Sequence, residues 1–445
     1  HLLFSRITPP QMLTALHIAI VLAAIVIGAR LGSIAIGFAG GLGVLLLGLT
    51  GVPVSREDIP FDVIGIIMSV IAAIAAMQKA GGMDFLVAVA EKLLRKNPKH
   101  VTYLAPVVTY LMTVLAGTGH TAFSTLPVIA EVAKEGNVRP SRPLSVAVVA
   151  SQIAITASPI SAAVVFLASI LEPHGVGYLQ LLAVVIPATF LAIFPTAFVA
   201  NHLGKDLEDD PIYQQRLAAG RVKEPTGTSN YTPTREAKLS VGLFLGAIVI
   251  VMAYATAISE QVGLISDPTL PRNEAIMSLM LATATAIVVS CKLHAADILD
   301  TQVFKAGMSA CVCVMGVAWL GTTIINAHID WIKESAGSVM QTQPWMLAVV
   351  VFAAAALLYS QAATAKALMP AALALGVSPL TASFAAVSSL FVLPTYPTLL
   401  AAVEMDDTGS TRIGKYVFNH SFIIPGTMCI ALAVVFGFAI GSVVL

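Results

Sequence analysis

The chain has 445 residues, a mean hydropathy of +0.88, 57% apolar residues and only 11% charged residues. A soluble globular chain carries about 25% charged residues, so the composition excludes that class. Several apolar runs reach the roughly 20 residues that cross a bilayer, and they are continuous rather than alternating, which argues against a β-barrel. The expected fold class is an all-α polytopic membrane protein. The formal net charge is zero, so only the placement of the charges carries information.

The first methionine is Met12, and residues 1–11 are expected to be an expression remnant. Met12–Gly28 is the first predicted span, and Ile34–Gly51 is the second. The second carries G-F-A-G-G-L-G, whose small residues let helices approach closely. Val63–Met77 is the third. Asp84–Lys99 places apolar residues on one helical face and Glu91, Lys92, Arg95 and Lys96 on the other, the pattern of a surface-lying amphipathic helix. Residues 101–135 then read as a hairpin. An apolar helix runs to a polar break, Gly117-Thr118-Gly119-His120-Thr121, and a second helix returns. Leu144–Leu171 is broken in its middle by Ile155–Ser161. There Pro159 removes a backbone donor, and Thr156, Ser158 and Ser161 are placed to satisfy the freed carbonyls. Tyr178–Leu203 completes the half.

Gly204–Lys238 is polar, of mixed charge, and reads as a linker without a motif. The order then repeats. Leu239–Ile258, Ala275–Cys291 and Val303–Ile325 are spans, and His328–Met340 is a second amphipathic segment. Residues 345–376 are a second hairpin, turning polar at Ser360, Gln361, Thr364 and Lys366. Leu380–Val403 is broken by L-P-T-Y-P-T, which holds Thr395, Tyr396 and Thr398, and Tyr416–Val444 is the last span. The predicted domains are therefore a first repeat over 12–203, a linker over 204–238 and a second repeat over 239–445.

If each hairpin enters and leaves on one side, each half crosses about five times, and the odd number inverts the second half relative to the first. The charges agree. With the amino terminus outside and Lys366 set apart, 19 of the 24 Lys and Arg fall inside, and only Arg6, Arg56, Arg272 and Lys333 fall outside. Both termini are then expected outside and the linker inside.

Interrupted apolar segments at corresponding places in two halves point to a transporter binding site. Lys366 lies far inside apolar sequence, where an ionisable residue is costly and normally meets a polar cavity or partner. It is expected to meet an anion; the ordinary alternative is a snorkelling or structurally paired lysine. The candidate substrate ligands are Lys366, Thr118, Gly119, His120, Thr121, Thr156, Ser158, Ser161, Ser360, Gln361, Thr364, Thr395, Tyr396 and Thr398. Half-helix N-termini there would offer free N–H groups and a positive dipole end to carboxylates. For any one Ser or Thr the alternative is back-bonding within its own helix. His120 reads as a proton gate or as a hydrogen-bond donor. Glu131, Glu404, Asp406 and Asp407 read as solvated carboxylates near the inner side, and Trp331 and Trp345 as interfacial anchors. Cys291, Cys311, Cys313 and Cys429 lack zinc-site spacing and read as packing residues. No phosphate loop, metal cluster, nucleophile–base arrangement or nucleic-acid signature is present in the sequence. No catalytic residue, cofactor, metal or nucleic-acid partner is expected, and an enzyme is the weakest class.

Seven stretches carry a family resemblance. They are G-A-R-L-G-S-I-A-I-G-F-A-G-G-L-G-V, A-G-T-G-H-T-A-F-S-T-L-P-V-I-A-E-V-A-K-E, Q-I-A-I-T-A-S-P-I-S-A-A-V-V, F-K-A-G-M-S-A-C, L-Y-S-Q-A-A-T-A-K-A-L-M-P, L-P-T-Y-P-T-L and D-D-T-G-S-T-R-I-G-K. From about Met12 to the C-terminus the chain resembles the Dcu-type anaerobic C4-dicarboxylate transporters of bacteria. In the linker only D-D-P-I-Y resembles the family. The resemblance implies a secondary carrier of the bacterial inner membrane, exchanging or taking up fumarate, succinate, malate and aspartate. Some members of the family partner with a membrane sensor kinase. The wider group with two re-entrant hairpins is often dimeric, which implies a homodimer. The competing readings are a sodium-coupled carrier of another small anion and a dicarboxylate-binding regulator of a sensor.

Overall fold

The structure, a computed structural model, describes residues 9–31, 34–59, 61–171, 174–225, 227, 230–260, 262–331, 334, 341–358, 361–385, 397–413 and 419–445. Among these residues it is helical and contains no strand, only an isolated bridge between Ile413 and His420. The first half runs α1 (Pro9–Leu31), α2 (Ala35–Leu49), α3 (Phe61–Lys79), α4 (Gly82–Lys96), α5 (Val101–Ala116), α6 (Leu126–Glu135), α7 (Ser141–Ile153), α8 (Ala162–Leu171) and α9 (Tyr178–Ala200). After α10 (Pro211–Ala218) come α11 (Arg235–Ala257), α12 (Arg272–Ser290), α13 (Gln302–Ala327), α14 (Met346–Leu358), α15 (Gln361–Ala374), α16 (Pro379–Ala385), α17 (Pro397–Met405) and α18 (Ile423–Val444). Five of the described helices hold stretches long and apolar enough to cross a bilayer, in α1, α9, α11, α12 and α18. The chain is a multi-pass membrane protein.

The helices gather in two groups. In the first, α2 and α3 pack on α13, α1 packs on α2, α3 packs on α12, and α12 packs on α11. Glycine sets the closest of these approaches. A Cβ on Gly316 of α13 would lie 1.9 Å from the Gly37 carbonyl oxygen of α2, so the two backbones touch because neither helix carries a side chain there. Buried Asp58 fastens the same region by accepting from Asn326 at 2.9 Å and Thr323 at 3.3 Å. In the second group α9 packs along α18, α5 along α7, and α8 along α15.

Helix α4 leaves α3 at a bend of 75°, through Gly81 at φ +88. It buries Met83, Ala90 and Leu94 and exposes Val89 and Leu93. The expected amphipathic segment runs from Gly82 to Lys96, but Glu91 and Arg95, expected on its outward charged face, pair with each other and are largely buried. Its counterpart, predicted over His328–Met340, lies largely outside the described residues.

Both hairpins have touching feet. Arg95, at the end of α4, is bonded by Glu91, Glu131 at 2.5 Å and Glu135, the last two on returning α6. A Cβ on Gly136 would lie 2.8 Å from the carbonyl oxygen of Pro98. In the second hairpin Gln341, ahead of α14, donates to the carbonyl of Leu375 at the end of α15, at 3.4 Å. Helix α6 has ten residues, about 15 Å of rise, half of what a bilayer core requires.

Two expectations are corrected. The last span begins at Ile423 rather than Tyr416, because Arg412 and Ser421 bond each other in a chain reversal with the Ile413–His420 bridge. Asp406 is not a solvated carboxylate. It is buried and accepts from Thr408, Ser410 and the Thr411 amide, which closes the D-D-T-G-S-T loop around it. The linker also holds more structure than its composition suggests. Asp210 caps α10 through the amides of Ile212 and Tyr213 and pairs with Arg139. Burial pushes its carboxyl up, but the Tyr213 amide, the Arg139 charge and the Ile212 amide outweigh that and hold it below the usual range. Asp407 accepts from Lys134 and from the Lys223 amide, so the linker is strapped across both halves of the second group.

Candidate functional site

The break in α7–α8 begins with Pro159. The residue before a proline is pushed out of the helical region, and Ser158 sits at φ −79, ψ 125. Helix α7 therefore ends at Ile153, passes through one 3-10 turn over Ala154–Ala157, and resumes as α8 at Ala162. The freed carbonyls are met by hydroxyls. Thr156 donates to Ile153 at 2.7 Å, Ser158 to Val114 of α5 at 2.7 Å, and Ser161 to Ile155 at 2.6 Å. Ser161 Oγ also accepts from the Val164 amide at 3.2 Å, capping α8. All three side chains are buried. Their protons are engaged with main chain, so what they can turn toward a ligand is lone pairs.

Hairpin one ends α5 at Gly117, whose φ of +72 is the left-handed cap that glycine adopts without strain. A short 3-10 turn over Gly119–Ser124 leads into α6. The tip is seated on the end of α7. Ser151 donates to the Gly119 carbonyl at 3.2 Å and bonds Thr113 of α5 at 2.8 Å. Thr121 donates to the Thr118 carbonyl at 3.2 Å. A Cβ on Gly119 would lie 2.6 Å from Nε2 of Gln152, so a larger residue there would force that carboxamide or the tip to shift.

Hairpin two reaches the same place. Gln361, the first residue of α15, donates its side-chain N–H to the main-chain carbonyl of Gln152 at 3.2 Å. That carbonyl lies in the last turn of α7 and also takes the Ala154 amide. Thr364 is fully buried one turn further on. Lys366 lies in the same helix, and α15 packs against α8 and α13. Helix α17, which contains Thr398, packs against α6, α7 and the Gly119–Ser124 turn. The site thus assembles the first tip, the first break and the N-terminus of α15 at one junction.

The sequence-predicted residues divide accordingly. Thr118, Gly119, Thr121, Thr156, Ser158, Ser161, Gln361 and Thr364 stand in the elements just described. His120, Lys366 and Thr398 are placed by backbone only, and their side chains lie outside the described set. Ser360, Thr395 and Tyr396 lie outside the described residues. Three residues escaped the sequence reading: Thr113, Ser151 and Gln152, which are 0%, 0% and 1% exposed. A signal existed, because S-Q are the only polar residues in the last seven of α7, directly before its break. No group of three or more His, Cys, Asp or Glu side chains able to hold a metal occurs among the described residues. Cys291, Cys311 and Cys429 are buried.

The profile of the anaerobic C4-dicarboxylate membrane transporter family matches residues 13–445. Over 431 residues the chain is 62% identical to the C4-dicarboxylate transporter DcuA of Wolinella succinogenes, covering 96% of this chain and 99% of that protein. It is 60% identical over 432 residues to the DcuA of Escherichia coli K12, with the same coverage. It is 37% identical over 438 residues to the anaerobic C4-dicarboxylate transporter DcuB of Escherichia coli O6:H1, covering 96% of this chain and 98% of that protein. The chain belongs to the anaerobic C4-dicarboxylate membrane transporter family.

Proposed function

We propose that this protein is a secondary carrier of the bacterial inner membrane that exchanges or takes up fumarate, succinate, malate and aspartate. The observation that carries the reading is the bond from Gln361 to the Gln152 carbonyl. It joins hairpin two to the break on which the tip of hairpin one sits. Lys366, in the same helix as Gln361, neutralises one carboxylate. The opposite carboxylate is met by N–H groups of the first tip, Thr118–Thr121, and by the N-termini of α8 and α15, where main-chain donors lack intrahelical partners. Thr156, Ser158 and Ser161 hold the break open. Thr364, Ser360, Thr395, Tyr396 and Thr398 complete the lining.

The same reading takes the two halves as inverted repeats. Pairing α1 with α11, α2 with α12 and α3 with α13 supports it. Under that exchange the contact of α2 with α13 becomes the contact of α12 with α3, and α1 with α2 becomes α11 with α12; all four occur. The touching feet of both hairpins support re-entrant loops. The gathering of Lys134, Arg139 and Arg142 beside the linker, which itself holds Arg216, supports an inner side there, with both termini periplasmic. Likeness to the wider group of two-hairpin transporters extends the reading to a homodimer, and the sensor-kinase partnership of some family members extends it to such a partner.

Counterflow in proteoliposomes tests the function. Vesicles loaded with unlabelled succinate are expected to accumulate labelled fumarate or aspartate from outside, without sodium and with a protonophore present. Uptake that requires sodium would replace the exchanger with a sodium-coupled carrier. Binding without counterflow would leave a dicarboxylate-sensing regulator.

A further inference from the structure

We propose that His17 and His328 form a proton-sensitive fastening between α1 and α13, closed while the His328 ring is neutral and opened by acid. Nδ1 of His17 stands 2.8 Å from Nε2 of His328, with the ring centroids 5.1 Å apart and the planes tilted by 52°. His17 lies two turns into α1 and is 3% exposed. His328 directly follows the last residue of α13 and is half-buried. Nε2 of His17 is buried without a hydrogen-bond partner among the described residues. That last fact orients the pair. A neutral imidazole carries one N–H and one bare nitrogen. With its proton on Nε2, His17 would strand a buried donor, and buried donors are left unmet more rarely than buried acceptors. The proton therefore belongs on Nδ1, where it is donated to the bare Nε2 of His328.

The bond holds only while His328 Nε2 keeps its lone pair. A proton arriving there makes it a donor that faces the Nδ1–H of His17. The contact then survives only if the His17 proton moves to Nε2, the position without an acceptor. Burial also holds the His328 ring below its ordinary value of 6.5. The fold thus favours the neutral ring. The stability it gives is fully present above about pH 6.5 and is lost as pH falls through the lower folded value. Of the helices packed on α1, α2 and α14 contain no titratable residue. At the His328 end of α13 the turn Arg56–Asp58 packs on the helix, and Asp62 stands in the first turn of α3. Asp58 is buried on Asn326 and Thr323, while Arg56, Glu57, Asp62 and Asp330 are exposed. The rings bond each other and, among the described residues, none of these groups. Lys79, Asp297, Asp300 and Lys305 pair at the opposite end of α13, and α15 brings Lys366.

Wild type, His328→Gln and His17→Leu are compared as the detergent-purified full-length carrier between about pH 7.5 and about pH 5.5. In His328→Gln the carboxamide oxygen takes the place of Nε2 and accepts from His17 at every pH; in His17→Leu the bond is absent at every pH. Two quantities are read, the melting temperature and the hydrogen exchange of residues 9–31 by mass spectrometry. Each variant is set against wild type at the same pH, so intrinsic exchange rates and the remaining histidines cancel. The wild type is expected to lose about 1–2 °C more of melting temperature than His328→Gln over this range. Its α1 amides are expected to exchange severalfold faster than those of His328→Gln at the acid end and equally at the neutral end. An acid loss that is the same in both proteins overturns the proposal. Should His328→Gln fail to fold, His17→Leu decides. The fastening predicts that its α1 exchanges faster than wild type at neutral pH and at the wild-type rate in acid; a difference of equal size at both ends overturns it.

Discussion

Replacing Gly119 with alanine adds one methyl group at the tip of hairpin one, and the structure states what it meets. The new Cβ would stand 2.6 Å from Nε2 and 3.2 Å from Cδ of Gln152. Ordinary contact begins near 3.4 Å, so the amide or the tip must retreat by about 0.8 Å. Neither is free to do so. Gln152 is 1% exposed, and the tip is held by Ser151 at 3.2 Å. Overpacking of such a site costs about 1–3 kcal/mol. The backbone at Gly119 is not left-handed, so alanine adds no conformational strain of its own. On the proposed site, in which the tip N–H groups meet a substrate carboxylate, the displaced tip predicts a KM for fumarate raised about tenfold in counterflow. Gly41→Ala is the control. Nothing lies within 4 Å of a Cβ there, and a helical Gly→Ala change is neutral or stabilising by up to about 1 kcal/mol. If Gly119→Ala transports with wild-type KM and melts with wild-type stability, the tip is not seated against Gln152 as described. The steric argument for the site would then be wrong.

Lys366→Ala should reduce counterflow about a hundredfold with normal membrane insertion, as expected for truncating one partner of a buried charge pair; wild-type uptake by that variant would remove the lysine from the site. Gly316→Ala forces a Cβ to within 1.9 Å of the Gly37 carbonyl oxygen and must separate α2 from α13. A loss near 3 kcal/mol is expected, seen as a lowered melting temperature in detergent, because both partners are backbone. Asp210 titrates below its ordinary value of 3.8 in the folded protein. Its carboxylate therefore contributes stability that is fully present above about pH 4 and is lost as pH falls through the lower folded value. Asp210→Asn should flatten the change in melting temperature below pH 4, and an unchanged acid limb would show that the Arg139–Asp210 pair does not govern it.

Much of this architecture was legible in the sequence because single elements carry their own signals. Apolar runs of bilayer length are local facts, and the all-helical membrane fold follows from them. Pro159 signalled the break, since it biases the residue before it away from the helical region, and Ser158 is extended. The family resemblance read from the seven motifs is borne out over residues 13–445. The G-F-A-G-G-L-G run signalled close packing, and α2 does meet the backbone of α13.

What the chain alone could not show is which local elements meet. Gln361 and Gln152 are 209 positions apart, and nothing in either neighbourhood names the other. The buried state of Asp406 depends on its loop folding back around it, whereas composition alone suggests solvent. The linker looked featureless because its partners, Arg139, Lys134 and Asp407, are supplied by other elements. Helix, break and span are set by steric and solvation terms within a few residues. The seat of the hairpin tips, and so the place of Gln152, is set by contacts between segments far apart in sequence, which only the packed structure decides.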